Sequence, residues 1–436
     1  MRKMIDFAVI SAAAFTLAAC TSPGSGGGES AAPATWPSET ARQGGVSLTI
    51  WAAQNSNKTA AQVVQAFEAA TGAKIHITTI PDPYEQNVQT KVATGDKPDL
   101  AFWQPTASQL SQLNARTNLL TLDGAPWLDK YQPALRDMTG LLDGKRYATL
   151  VTSPAVIGVY YNKQVFAHHG IANLPRNFDE LLAVARSIKS KGGTPFYEMG
   201  HDRWATQWWV QGQLADAATQ GLWERVNQNK ERFTDATILG AIKKYKQIVD
   251  EGLFNENITS ATFVDQGNAL LAGQAAMVMQ VNSFFNQLQA QAKTPELDEK
   301  IGFFPISPGG NIGTNIPDQS NAMVAFKTGD SKREAAARQL LSFWLGQDYP
   351  AFIAAQNTVS LRTDVPSPST VPQALKSVAD SLATSVGSMQ SLAVANPDLY
   401  INLANMLSGT MSPEEVAEAT QKQFAQLAKA QGVAGF

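Results

Sequence analysis

The chain has 436 residues, 44% hydrophobic and 16% charged, with a formal net charge of −3. That length suggests two or three domains, because single cores stop growing near about 250–300 residues. The faint acidity leaves no electrostatic footprint for nucleic acid, and with one cysteine there is no internal disulfide, so the fold must rest on core burial.

The first 45 residues set the compartment. Arg2 and Lys3 precede an apolar run over 7–19 that ends in Leu17-Ala18-Ala19-Cys20. The run is too short to span a bilayer, which takes about 20 apolar residues, and it has the layout of a secretory signal. Leu17-Ala18-Ala19-Cys20 resembles the lipobox of bacterial lipoproteins. That resemblance implies lipidation of Cys20 and a protein anchored to the cell membrane, facing the extracellular or periplasmic side. Residues 21–45 carry Gly24-Ser25-Gly26-Gly27-Gly28 and few large apolars. They are expected to form a flexible tether with a root-mean-square reach of roughly 25–30 Å.

From Val46 the pattern becomes structured. Residues 46–51 alternate as a strand does, and 58–71 place Ala60, Val64, Phe67 and Ala70 on one helical face before Gly72. Residues 74–80 alternate again, 84–94 form a short helix, and 99–103 form a buried strand. This order predicts an α/β fold with a largely parallel sheet. The pattern resumes with an apolar strand at 156–161 and a helix opened by Asn177. Further on come a helix at 235–252, strands at 275–281, 301–305 and 322–326, a helix reaching Trp344, and a helix opened by Ser412-Pro413.

Catalytic signatures are missing. His76, His168, His169 and His201 form no zinc motif, and no Gly-x-Ser-x-Gly, Ser-x-x-Lys or phosphate-loop pattern occurs. Paired carboxylates need no local spacing, so a hydrolase stays open as a rival. The chain is read as a non-enzyme, with neither cofactor nor metal expected.

The body from Val46 to about Arg362 resembles the extracellular solute-binding proteins of ATP-binding-cassette (ABC) importers, in the branch that includes maltose-binding protein. Six segments in order carry the likeness. They are Leu48-Thr49-Ile50-Trp51 with the helix ending at Gly72, and Gly95 to Trp103 with its Pro98-Asp99 pair. Then come Val156 to Lys163 with Phe166 and Gly170-Ile171, and Phe263 to Met279 with Ala275-Ala276-Met277. Ile301 to Pro305 and Glu334 to Gln347 complete the order. The resemblance implies a two-lobed periplasmic-binding-protein fold (type II), each lobe an open, mostly parallel sheet flanked by helices. Crossings are expected near 151–154, Lys300 and 335–340. Lobe one would then hold 46–152 plus 301–338, and lobe two 155–299 plus 339–436. The implied function is capture of a carbohydrate, a mono- or oligosaccharide, between the lobes and delivery to the transmembrane subunits of an ABC permease by a monomer. The alternative is a non-sugar solute such as a polyol phosphate, peptide or amine.

In open α/β sheets the ligand crevice lies beyond the carboxyl ends of the strands. That rule selects Gln54, Asn55 and Ser56 after the first strand, and Trp103 and Gln104 after the third. It selects Ser153 and Ala155 at the crossing, and Asn282, Ser283 and Phe284 after the late strand. Amides and hydroxyls both donate and accept, which suits sugar hydroxyls. His201-Asp202-Arg203-Trp204 and Trp208-Trp209 form a second cluster. Trp204 and Trp208 share a helix face and either line the cleft or pack inside, while Asp202 either binds hydroxyls or caps the helix holding Trp204. Trp103 has the same two options. Ser320, Asn321 and Arg362 are further candidates, Arg362 with a lobe-bridging salt bridge as its alternative. The family often has Gly-x-Trp after its Ala-Ala-Met strand. Here Val281-Asn282-Ser283-Phe284 stands instead, which leaves the sugar type open.

Overall fold

The computed structural model describes residues 36–436 except 54, 55, 82 and 83. The signal segment, Cys20 and the first part of the expected tether lie outside the described residues. Strands β1 (Ser47–Ala52), β2 (Lys74–Thr79) and β3 (Leu100–Phe102) come first. A hairpin, β4 (Leu141–Leu142) and β5 (Lys145–Arg146), precedes β6 (Ala148–Leu150) and the long β7 (Ala155–Asn162). Then come β8 (Met277–Gln280), β9 (Ile301–Phe304), β10 (Thr314–Ile316), β11 (Ala322–Ala325) and β12 (Val386–Gly387).

Two five-stranded sheets result. The first has the order β2-β1-β3-β11-β6, and the second has β12-β10-β7-β8 with β9 also on β7. Strands β2, β1 and β3 are parallel as expected, but β11 runs against both its neighbours. In the second sheet β8, β9 and β10 all run antiparallel to β7. The sheets are therefore mixed, because strands that have just crossed from the other sheet enter from the opposite end.

Alternation divides the first sheet between two cores. Leu48, Ile50, Leu100 and Phe102 face a core shared with the helix Ser331–Leu345, through Leu340, Leu341 and Trp344. Trp51, Ala101 and Trp103 face the other, with Tyr84, Val88 and Leu110. A sheet covered on both faces needs apolar residues at successive positions, which is why β3 is a plain apolar run. Asp99, fully buried, fastens this unit. Its carboxylate accepts the Thr49 N–H at 2.7 Å and a two-pronged contact from Arg333 at 2.9 and 2.8 Å. In the second sheet β7 is crossed so closely that a Cβ on Gly158 would lie 2.5 Å from the Phe303 ring.

Residues 151–154, the first expected crossing, join β6 of the first sheet to β7 of the second. The others move. Residues 301–316, expected in lobe one, belong to the second sheet through β9 and β10. The chain returns only at 317–321. The helix Ser331–Leu345 stays whole on the first sheet, and the Gln132 N–H donates to the Leu361 carbonyl at 2.8 Å, keeping that segment there too. The helix Gln373–Ser381 lies on β9, so the last passage falls between Arg362 and Gln373. These boundaries depend on strand pairing between distant segments, which local periodicity does not encode.

Residues 36–45, expected to belong to the flexible tether, lie against the first unit. The Gln339 amide, fully buried, donates to the Ser38, Glu39 and Ala41 carbonyls at 2.9, 3.1 and 2.8 Å. Trp36 packs edge-on to Trp127 at 5.0 Å under the Arg338 guanidinium. Replacing Gln339 with Leu removes these donors at once. The expected loss is about 1–3 kcal/mol in urea unfolding, with faster amide exchange at Gln43 and Gln347. Unchanged exchange there would show that the strap is held by something else.

Candidate functional site

The strand registers assemble one polar edge on each sheet. On the first, β1 and β3 end at Ala52 and Phe102, while the Trp103 N–H donates to the Ala322 carbonyl at 3.1 Å and Leu150 pairs with Ala322. The loop holding Ser56, residues Trp103 and Gln104, and both passages at 151–154 and 317–321 therefore share this edge. On the second, Gly158 pairs with Gln280 and Ala155 with Ile316, so Ala155, Asn282 and the end of β10 lie together. Phe196 pairs in parallel with Met277, which carries the following loop, Gly200 to Trp204, to the same edge. The crossings join these two edges, so the described loop residues on them border the space between the sheets.

The passages are tied to each other there. The Asn321 carbonyl accepts the Val151 N–H at 2.7 Å and the Thr152 N–H at 3.2 Å. Its side chain accepts the Asp318 N–H and donates to the Thr152 hydroxyl, both at 3.0 Å. Ser56 is buried and hydrogen-bonds to the Gln319 side chain at 3.3 Å, while Ser153 is buried at the outgoing passage. Asn282 accepts the Val156 N–H at 3.0 Å, Ser283 is exposed, and Gln104 is half-buried. Gln54 and Asn55 lie outside the described residues.

Three candidates face inward instead. Trp103 is fully buried, and its indole N–H donates to the Gln109 carbonyl at 3.1 Å. Strand alternation puts it on the inner face with Trp51. Phe284 is fully buried between Tyr160 and Phe263, 5.5 and 5.9 Å away. Arg362 is buried, donating to the Leu345 and Gly346 carbonyls at 2.7 and 3.0 Å and pairing with Asp364. It closes the carboxyl end of the long helix, where a cation suits the dipole. Asp202 does the opposite at a helix start, accepting the Phe263 N–H at 2.5 Å. The helix it serves is Phe263–Leu271, not the one expected, since the turn holding Trp204 has no side-chain cap. Trp204 is half-buried and continues an aromatic row from Phe284 through Phe263 (5.4 Å) to Trp208 (6.1 Å).

Sequence reading missed two features beside this row. Gln207, Gln211 and Gln390 form a buried amide triangle, with bonds of 3.3, 2.6 and 2.7 Å, and Gln211 also accepts the Met389 N–H. The Gln390 segment lies against the helix Ala107–Gln112 of the first unit. Gln207 and Gln211 stand four apart on one helical face, the one signal that was visible. The second is Glu198, buried just before the Gly200 loop. It accepts the Met199 N–H and the Tyr245 hydroxyl, each at 2.9 Å. Burial pushes its carboxyl up to about 7, against the lowering by these bonds.

A model of the bacterial extracellular solute-binding protein family matches residues 52–349. A Brucella abortus binding protein is 29% identical over 48% of this chain and 49% of its own. The chain thus spans about half the length of that relative. The diacetylchitobiose binding protein DasA of Streptomyces coelicolor is 23% identical over 82% of this chain and 81% of its own. Among solved structures, a chitin oligosaccharide binding protein superposes with a TM-score of 0.75 at 22% identity, covering 88% of this chain and 99% of that one. RafE in complex with raffinose gives 0.72 at 17%, covering 88% and 100%. At these identities the structures establish the shared fold.

Trp103→Ala is expected to cost about 3–5 kcal/mol in stability, the range for a deleted core aromatic. A loss below 1 kcal/mol would put the ring at the surface. The Glu198 carboxyl ionises at its ordinary value when unfolded and near 7 when folded. The unfolded chain therefore binds fewer protons between those values, and stability falls as pH rises through that window, then levels above it. The full drop is about 3 kcal/mol at 1.36 kcal/mol per unit. Glu198→Gln should flatten this slope in urea titrations at pH 5 and 8, and an unchanged slope would assign it elsewhere.

Proposed function

The chain belongs to the bacterial extracellular solute-binding proteins, and from that premise we propose that it is the substrate-binding component of a carbohydrate ABC importer. It captures a neutral mono- or oligosaccharide between its two sheets and delivers it to the permease. The observation that carries this reading is the meeting of two sheet edges whose side chains are amides, hydroxyls and an indole. Gln104, Ser283, the unspent amide of Asn282 and the part-exposed ring of Trp204 are the groups assigned to the solute. Gln54 and Asn55 join them from the sequence. Neutral groups that both donate and accept match sugar hydroxyls, and an indole face packs against the apolar face of a pyranose. The saccharide names carried by DasA and by the superposed structures support the same class.

No covalent step belongs to this function. Closure needs only a ligand that binds the closed arrangement better than the open one. The protein acts as a monomer, tethered through a lipid on Cys20.

Thermal unfolding against saccharides, polyol phosphates, peptides and amines tests the class. A ligand at 100 times its Kd adds about 2.7 kcal/mol, a visible shift in midpoint. A shift confined to saccharides is expected, and Trp204→Ala should weaken that binding at least tenfold while the unliganded midpoint stays within a few degrees. A shift with a phosphate, peptide or amine alone would overturn the sugar assignment.

A further inference from the structure

The Gly200 loop borders a recess lined by His201, Arg203, Ala404, Asn405 and Leu407. Arg203 sits there with φ 62 and ψ −48, while the Trp204 N–H donates back to the Asp202 carbonyl at 2.7 Å. This is a γ-turn of the rare hand, centred on a residue with a full side chain. Such strain persists only where the surroundings impose it, and it gathers at binding sites. Here the surroundings are visible. The Asp202 carboxylate is held by the Phe263 N–H, and the Gly200 and His201 N–H groups donate to the Ile258 and Ala261 carbonyls at 2.8 and 3.1 Å. Gly200 is obligatory, since a Cβ there would lie 2.5 Å from the Ile258 oxygen.

The clamped turn places Arg203 in the lining of the recess, and no residue among those described forms an ion pair with it. The nearby helix end does not consume it either. The carbonyls of Ala404, Asn405 and Met406 are already taken by the N–H groups of Ser408, Thr410 and Gly409, at 3.1, 2.9 and 3.0 Å. Charge at this end of the cleft is mixed. Burial raises the Tyr400 phenol, Asp398 and Glu85 raise it further, and Arg203 lowers it. Two carboxylates and one guanidinium thus act on the same phenol, a mixed field that does not favour a free anion, while a guanidinium can donate to a neutral oxygen. Ala404 and Leu407 add a small apolar wall. A neutral carbonyl oxygen next to a methyl group satisfies both features.

We propose that this recess holds the acetamido group of an N-acetylated amino sugar, its carbonyl accepting from Arg203 and its methyl against Ala404 and Leu407. The sugar ring would then lie beside Trp204, the next residue along the chain. The assignment rests on the saccharide-receptor reading and narrows it.

Calorimetric titration with N,N′-diacetylchitobiose and with cellobiose tests it, because the two share a β-1,4 skeleton and differ in the acetamido groups. Diacetylchitobiose should bind at least tenfold more tightly. Arg203→Gly, which suits the positive φ and deletes the guanidinium, should bring the two within about twofold with the thermal midpoint retained. Equal affinities in the unaltered protein, or a preference that survives in Arg203→Gly, would overturn the assignment. So would binding of neither disaccharide while another saccharide binds, an outcome that leaves the receptor reading standing. Binding of no saccharide at all would overturn both.

Discussion

Everything about this site depends on Asn321 holding the two central passages together. Its carbonyl takes two successive N–H groups of the outgoing passage, and its side chain reaches the Thr152 hydroxyl. An amide is the fitting group, since it accepts from Asp318 with one atom and donates to Thr152 with the other. Each bond contributes only about 1 kcal/mol net, but together they force both chain crossings through one place. Rotation about that place changes the space between the sheets while leaving each sheet intact, as hinge closure requires. Ser56 and Gln319 extend the junction into the loop after β1.

Around this junction, rigid and adaptable parts divide by element. The sheets are covered on both faces and fixed by buried contacts such as Asp99 with Arg333. The loops at their edges carry the groups we propose for the solute, the usual assignment of recognition to loops on a stiff frame. The aromatic row from Tyr160 to Trp208 joins the two regimes. Its inner members are core, and Trp204 is where the row reaches the edge. The strained turn at Arg203 is tolerated because Asp202, Gly200 and His201 all anchor it to the same segment.

Much of this was legible in the residues. Alternation and helical periodicity located β1, β2, β3 and β7, while the crossing near 151–154 came from the family resemblance. What failed has a common cause. Ile301–Phe304 and Ala322–Ala325 are both short apolar strands, and only their distant partners place one in each sheet. Trp103 ends a strand, yet its parity with Trp51 turns it inward. Phe284 stands where the family often has a stacking Trp, but Tyr160 and Phe263 enclose it. Arg362 and Gln339 are polar residues whose partners are backbone carbonyls far away in the chain, so no spacing announces them. The docked strap at 36–45 was hidden for the same reason, because its Gly and Ser neighbours read as linker.

The most direct test of capture between two moving units is small-angle X-ray scattering during titration with a neutral oligosaccharide. A contraction of the radius of gyration that saturates at one ligand per chain is predicted, with loss of the change when Asn321 and Thr152 are both replaced by Ala. Scattering that stays constant while the same saccharide binds would contradict closure about this junction. Contraction only with a phosphate, peptide or amine would contradict the carbohydrate assignment.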